Sequence, residues 1–494
     1  MIIKYILKIS LLLLAGTAFI TSCTSSFNDV NADPDNAKTS VPTNELAYII
    51  YNSSNQLFDS WFDINESCTF SGQIAKLAYI DESKYEFRAN INNEMWEYIY
   101  NYESTTLDMI KNARAAGNTN IAYVGKIWEA QLMQIITDRW RDVPFSDMCK
   151  GSSGTYSPTY DTQETIYPKL LTLLKEAADS LNLSTATGSL GSGDIMYSGD
   201  MTKWEKYCNS LRLRIAMRIS KVSGDEDLAK STVEEILSDP TDYPIITSND
   251  DNAFYKWAGM SEAWAVYYQQ RPNEYCMSDV MINTLKSLSD PRLSVYALPN
   301  DSNKYVGFVI GDSISASPVG DYSYIGTRFM ARDGSTGFTP YFRAAETYFI
   351  ISEAAMLGWN TGNYGTQESA YNKAVTLSLE ENSVSDANIA TYLAGNGKYD
   401  GTSSQLYLQE WIALFKQGME AWTLYRRTGV PTTNYIAPGS TYAEAKTHKT
   451  PPLRYPYPQT ELDLNTTNNA PYYAKVVDNY WGEPMIYDQR NADK

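Results

Sequence analysis

Apolar residues recur at helical spacing along most of this chain. In Asn92–Arg114, Ile121–Arg139, Thr165–Leu181, Thr202–Val222 and Asp225–Leu237 they fall every three or four positions, the mark of a helix with one buried face. Stop signals follow these runs: Gly117 after the first, Pro144 after the second, Pro240 after the last. A second series comprises Arg343–Leu357, Gln367–Leu379 and Ser404–Arg427. The last run has Thr402 and Ser403 as N-cap options, Arg426 and Arg427 for the C-terminal dipole, and Gly429 and Pro431 as its stop. Neighbouring runs predict antiparallel pairs: 121–139 with 165–181, 202–222 with 225–237, and 343–357 with 367–379. The third pair, AETYFIISEAAMLGW and then SAYNKAVTLSL, has the character of a tetratricopeptide unit. The pattern predicts an all-α, mainly helical protein whose helix pairs stack over about 90–239 and 343–427.

Residues 240–342 and 428–494 lack this periodicity and are rich in Gly, Pro, Ser, Asn and Tyr. The stretch KYVGFVIGDSISASPVGDYSYIGTRFMARDGSTGF has room for one or two minor β-hairpins. Long ordered loops on a helical scaffold are where binding surfaces form.

The amino terminus reads differently. Lys4 and Lys8 precede an apolar run from Ile9 to Ile20, short of the ~20 residues a membrane span requires. Residues 1–22 therefore read as a secretory signal. It ends Ile20-Thr21-Ser22-Cys23, the pattern of a bacterial lipobox. In that chemistry the Cys23 thiol is alkylated with diacylglycerol, the leader is cut, and the new amino terminus is acylated. Each buried CH₂ contributes ~0.8 kcal/mol, so several acyl chains together anchor the protein. Residues 23–42 then form a lipidated polar tether, and 43–494 the folded body. Asp29, Asn31, Asp33 and Asp35 alternate like calcium-loop ligands, but Pro34 stands where the loop glycine belongs and no glutamate closes it. Asx-turns are the expectation there. Cys68, Cys149, Cys208 and Cys276 have no CxxC spacing; free, buried thiols are expected, and the spacing leaves any disulfide pairing open.

Composition narrows the chemistry. The net charge is −18 and no basic stripe interleaves with aromatics, which argues against nucleic acid, and none is expected as a partner. A single histidine, His448, excludes multi-histidine metal sites, and no metal or cofactor is expected. There is no phosphate loop, no GxGxxG after a strand and no GxSxG. Glu346, Glu353, Glu410 and Glu420 lie on helices among aromatic residues, where carboxylates more often hold arginine than catalyse. Tyrosine is abundant: 39 Tyr beside 11 Trp suit semi-polar contacts.

Several motifs occur in a fixed order: TDRWRDVPFSD (137–147), GDMTKWEKYCNSLRLRIAMRIS (199–220), SDPRLSVYA (289–297), AETYFIISEAAMLGW (345–359), EWIALFKQGMEAWTLYRRTGVP (410–431) and RYPYPQTELDLN (454–465). Behind a lipobox cysteine, this order resembles the SusD/RagB-like nutrient-binding outer-membrane lipoproteins over nearly the whole mature chain. The resemblance implies a SusD-like α-superhelix of tetratricopeptide-like helix pairs with an irregular second half. It also implies a lipid-anchored place on the outer membrane, facing the exterior, and a SusC-like TonB-dependent barrel as partner. The protein would bind an oligosaccharide or peptide as a hinged lid and would not be an enzyme.

The family's motifs do not transfer ligand residues, so site candidates come from residue types. A sugar presents C–H faces to Trp or Tyr and hydroxyl edges to polar side chains. DSWFDINESCTFSGQIAKLAYIDESKY offers Trp61, Gln73, Tyr79 and Tyr85. FYKWAGMSEAWAVYYQQRPNEY offers Trp257, Trp264, Tyr267, Tyr268 and Arg271. A third cluster is Tyr322, Tyr324 and Arg328. Each is read either as ligand surface or as core. A surface-tethered all-α glycoside hydrolase or lyase, and a purely structural helical adaptor, share these features.

Overall fold

The computed structural model describes residues 40–182, 186–257, 274–312, 320–330, 337–432, 451–476 and 479–490. Cys23, Trp264, Tyr267, Tyr268, Arg271 and His448 lie outside the described residues. In the compact unit that begins at Pro42, helix α1 (Pro42–Gln56) lies on α2 (Ala89–Ala115), and each following helix packs on its predecessor. These are α3 (Thr119–Trp140), α4 (Gln163–Asn182), α5 (Met201–Arg218) and α6 (Glu226–Ser238). Side-chain caps start them where the sequence supplies a short polar residue. The Asn118 side chain accepts from the Ile121 N–H, and that of Asp200 from the N–H groups of Thr202 and Lys203.

After α7 (Asp279–Ser287), the second series runs α8 (Ala344–Met356), α9 (Gln367–Glu381), α10 (Asp386–Ala394), α11 (Ser403–Ala413) and α12 (Gly418–Thr428). Helix α8 touches α9, α11 and α5, so it joins the two series. The three expected pairs are all in contact. The boundaries read from periodicity differ by a few residues, with one exception. The run 404–427 is not one helix. It breaks between Ala413 and Gly418, with Lys416 at φ 70°. Arg343 stabilises the break: its Nη2 donates to the Phe415 carbonyl at 2.9 Å and its Nη1 to the Gln417 side chain. The downstream stop is as read, with Gly429 at φ 72°.

The regions read as loops also hold helices: α7 in the first, and α13 (Gln459–Leu464) with α14 (Thr466–Tyr473) in the second. The expected local hairpins are replaced, among the described residues, by two long-range antiparallel pairs. Strand β1 (Ile74–Lys76) pairs with β3 (Tyr275–Met277), and β2 (Ala253–Lys256) with β4 (Phe338–Phe342). Cys68, Cys208 and Cys276 are free and buried; Cys149 is free but exposed, contrary to expectation.

Arginine–carboxylate pairs run through the core. Arg214 reaches Glu346 at 2.5 and 2.8 Å, and Arg427 grips Glu353 at 2.7 Å through both nitrogens. Arg218 bridges Asp138 and Glu420; Arg292 holds Asp290 at 2.6 Å. Three of the four glutamates singled out in the sequence are thus tied to arginine. Glu410 is buried, which lifts its carboxyl to about 8 although Arg427 opposes the shift. Such pairs tolerate burial only when both partners are matched. Their arginines sit in the motifs quoted above.

Candidate ligand-binding site

The turn after α1 leads into a π-helical segment, Ser60–Ser67. Asp59 caps it: its Oδ1 accepts from the Phe62 N–H at 2.6 Å. Hydroxyls reinforce the wide turns, with Ser67 donating to the Phe62 carbonyl and Thr69 to that of Ile64, each five residues back. Phe62 and Ile64 point inward and are buried, which leaves Trp61 36% exposed. Arg139, from the TDRW motif, secures this segment. Its guanidinium lies 3.9 Å from the Phe62 ring centroid, donates to the Phe62 carbonyl, and pairs with Glu66 at 2.5 Å.

Trp61 opens onto a cavity of about 220 Å³ between this segment, the end of α1 and the first half of α2. Phe62, Ile91, Met95 and Ile99 form its buried apolar base. Trp61 and Tyr98, the latter 39% exposed, supply aromatic walls. Gln56, Asp59 and Glu94 supply the polar groups. Burial pushes the Asp59 carboxyl up to about 7, against the Phe62 and Trp61 N–H groups and Arg139, which lower it. Arg88 sits 5.9 Å from the Trp61 ring centroid and is itself held by Glu82 at 2.5 Å and Asp81 at 3.1 Å. An apolar base with aromatic walls and a few polar groups is the composition of a small-ligand site.

The other candidates divide. Tyr79, 70% exposed, stands on the surface. Gln73 is buried and donates to the Trp411 carbonyl at 3.1 Å. Tyr85 is buried edge-on between Phe70 and Trp481. Trp257 is buried, donates to Thr339 Oγ1 at 3.0 Å, and has the Lys416 ammonium 4.2 Å from its ring. These three work within the core, because rings and amides that suit sugars suit packing equally. Tyr322 packs edge-on against Phe308, the Tyr324 hydroxyl accepts from the Gly320 N–H at 2.9 Å, and Arg328 pairs with Glu381 at 3.0 Å. The stretch holding the first cluster contacts the end of the second stretch through β1 and β3, and the Ser323 carbonyl beside the third cluster accepts from the Met277 N–H.

Gln56, Asp59, Glu94 and Tyr98 line this cavity and are not among the residues read from the sequence. Glu94 and Tyr98 are four apart on α2, one position ahead of the buried stripe Ile91, Met95, Ile99 and Tyr102. A tyrosine on the flank of the buried face is the signal that was available. Among the described residues no group of three or more His, Cys, Asp or Glu is placed to hold a metal, and no helix is long and apolar enough to cross a membrane.

A superhelix of helix pairs carrying an aromatic, acidic pocket defines a helical-scaffold binding fold, and the comparisons agree on its class. The SusD-like family, described as starch-binding and associating with the outer membrane, matches residues 34–458, and the chain belongs to it. Among solved structures, a chitin-binding protein superposes with TM-score 0.77 at 24% identity, covering 91% of this chain and 100% of its own. A chitin-binding SusD homologue from Flavobacterium johnsoniae gives 0.78 at 24%, over 90% and 98%. A SusD-like protein from Bacteroides thetaiotaomicron gives 0.74 at 21%, over 91% and 99%. No curated protein matches the chain.

Proposed function

We propose that this protein captures a glycan at the cell surface, without cleaving it, through the pocket at Trp61. The observation that carries the reading is the half-exposed Trp61 beside Tyr98 over a buried apolar base, with carboxylates and an amide at hand, on a chain of this family. Acyl chains on Cys23 would hold the body at the outer membrane, and a SusC-like TonB-dependent barrel would receive the glycan while this protein closes over it as a lid. Two similar structures are described as chitin-binding, so an N-acetylglucosamine oligomer is the first ligand to test.

Titration calorimetry with a chitin hexasaccharide tests the pocket. Loss of one stacking wall corresponds to about tenfold in affinity, roughly 1.4 kcal/mol. Trp61→Ala and Tyr98→Ala should each weaken binding by about that factor. Unchanged affinity in Trp61→Ala would put the ligand elsewhere. Chromatography of the recovered hexasaccharide should return it intact; shortened products would favour a tethered hydrolase.

A further inference from the structure

Resting on the glycan-capture reading, we propose that the Trp61 pocket selects a sugar residue carrying a protonated amine over its neutral and anionic counterparts. The charge balance of the cavity is one-sided. Its lining includes the carboxyls of Asp59 and Glu94 and no lysine, arginine or histidine; Asp59, pushed up to about 7 by burial, carries only part of its charge at neutral pH, so Glu94 is the main acid. Neither carboxylate has an ion-pair partner among the described residues. The cations close by are already engaged: Arg88 by Asp81 and Glu82, and Arg139 by Glu66. Both pair with carboxylates that are not part of the lining, although Arg139 still acts on Asp59 through its field.

The walls point the same way. Trp61 and Tyr98 line the cavity, and a cation near such rings is attracted by their quadrupoles, more strongly as water is excluded. A charge-assisted hydrogen bond from an ammonium to a carboxylate is roughly twice as strong as a neutral one. A neutral hydroxyl in the same place makes the hydrogen bond but leaves the negative charge uncompensated. A uronate or sulfate brings like charge beside Glu94 and is disfavoured. Size limits the selection to one ring. At about 220 Å³ the cavity is smaller than the ~300–1,000 Å³ of drug-sized sites, so neighbouring sugars extend outside it.

The test is calorimetry on the mature chain at neutral pH and about 0.15 M salt, where screening over ~8 Å suppresses the field of the remote surface acids. Three probes are compared: the fully deacetylated glucosamine trisaccharide, its N-acetylated counterpart, and a galacturonate trisaccharide. The expected order is amine first by about tenfold, N-acetyl second, uronate last. Glu94→Gln, a change at an exposed helix position, should shrink the amine-to-acetyl affinity ratio several-fold. Trp61→Ala should weaken both of the favoured probes. If Trp61→Ala abolishes binding but the wild type does not prefer the amine, the proposal falls while the pocket reading stands. If both affinities survive Trp61→Ala unchanged, the pocket is not the binding site and both fall. If the ratio is unmoved by Glu94→Gln, selection by the pocket acids is overturned.

Discussion

Replacing Gly418 by alanine sets two effects of opposite sign against each other. Gly418 is the first residue of α12 and packs against the segment that carries Trp61. Glycine-to-alanine within a helix ordinarily stabilises by up to about 1 kcal/mol, and less at a first-turn position. Here a Cβ would meet the Asp63 carboxylate and lie 2.7 Å from both the backbone nitrogen and the Sγ of Cys68. Normal contacts require about 0.7 Å more. The Cys68 nitrogen cannot step aside alone, because its N–H donates to the Asp63 carbonyl and closes the wide helical turn. Asp63 and Cys68 are both buried, so neither has solvent to retreat into. Overpacking of this kind typically costs ~1–3 kcal/mol, and a rigid backbone atom among the clashes puts it in the upper half. The clash wins, leaving a net loss of roughly 1–2 kcal/mol. Urea unfolding followed by tryptophan fluorescence should show a lower midpoint with an unchanged slope. Because Trp61 is two residues from Asp63 on the displaced segment, glycan affinity should fall as well. A midpoint equal to or above that of the wild type would refute the close packing of α12 on this segment.

Three further outcomes are expected. Arg427→Met leaves Glu353 buried without its bidentate partner, a loss of about 3–5 kcal/mol measurable by the same unfolding assay; Glu353→Gln with Arg427 intact should also destabilise. Burial holds Asp63 and Glu410 protonated to about 8, above the range in which these acids titrate when unfolded. The folded state therefore keeps protons that the unfolded chain has lost, and stability should fall as pH rises from about 4.5 to about 8; a melting temperature that climbs across that window would contradict it. Cys23→Ala should free the protein from the membrane fraction with its melting temperature unchanged, whereas retention in a strain lacking the barrel would exclude an acyl anchor.

Much of the scaffold was legible because its causes are local. Helical periodicity, N-cap residues such as Thr402 and the Gly429 stop act within a few residues, and α2 to α6, α8 and α9 lie where they predict. The ordered motifs pointed to the family, and their arginines pair with buried carboxylates. The break at Lys416 was not legible, since Arg343, over seventy residues away, stabilises it. Nor were the strand pairs, whose partners are about 85 and 200 positions apart in the chain.

For the site, the sequence supplied residue types and the tertiary structure decided their use. Trp61, Tyr85 and Trp257 look alike as letters, and chain order cannot say which ring faces solvent. Exposure depends on what else arrives: Phe70 and Trp481 cover Tyr85, Thr339 and Lys416 engage Trp257, and α2 leaves Trp61 open beside Tyr98. By itself the sequence determined a mainly helical body and a family, because those rest on short-range pattern. Only the folded chain could set Asp59 and Glu94 in one cavity, because burial and charge balance are sums over residues distant along the chain.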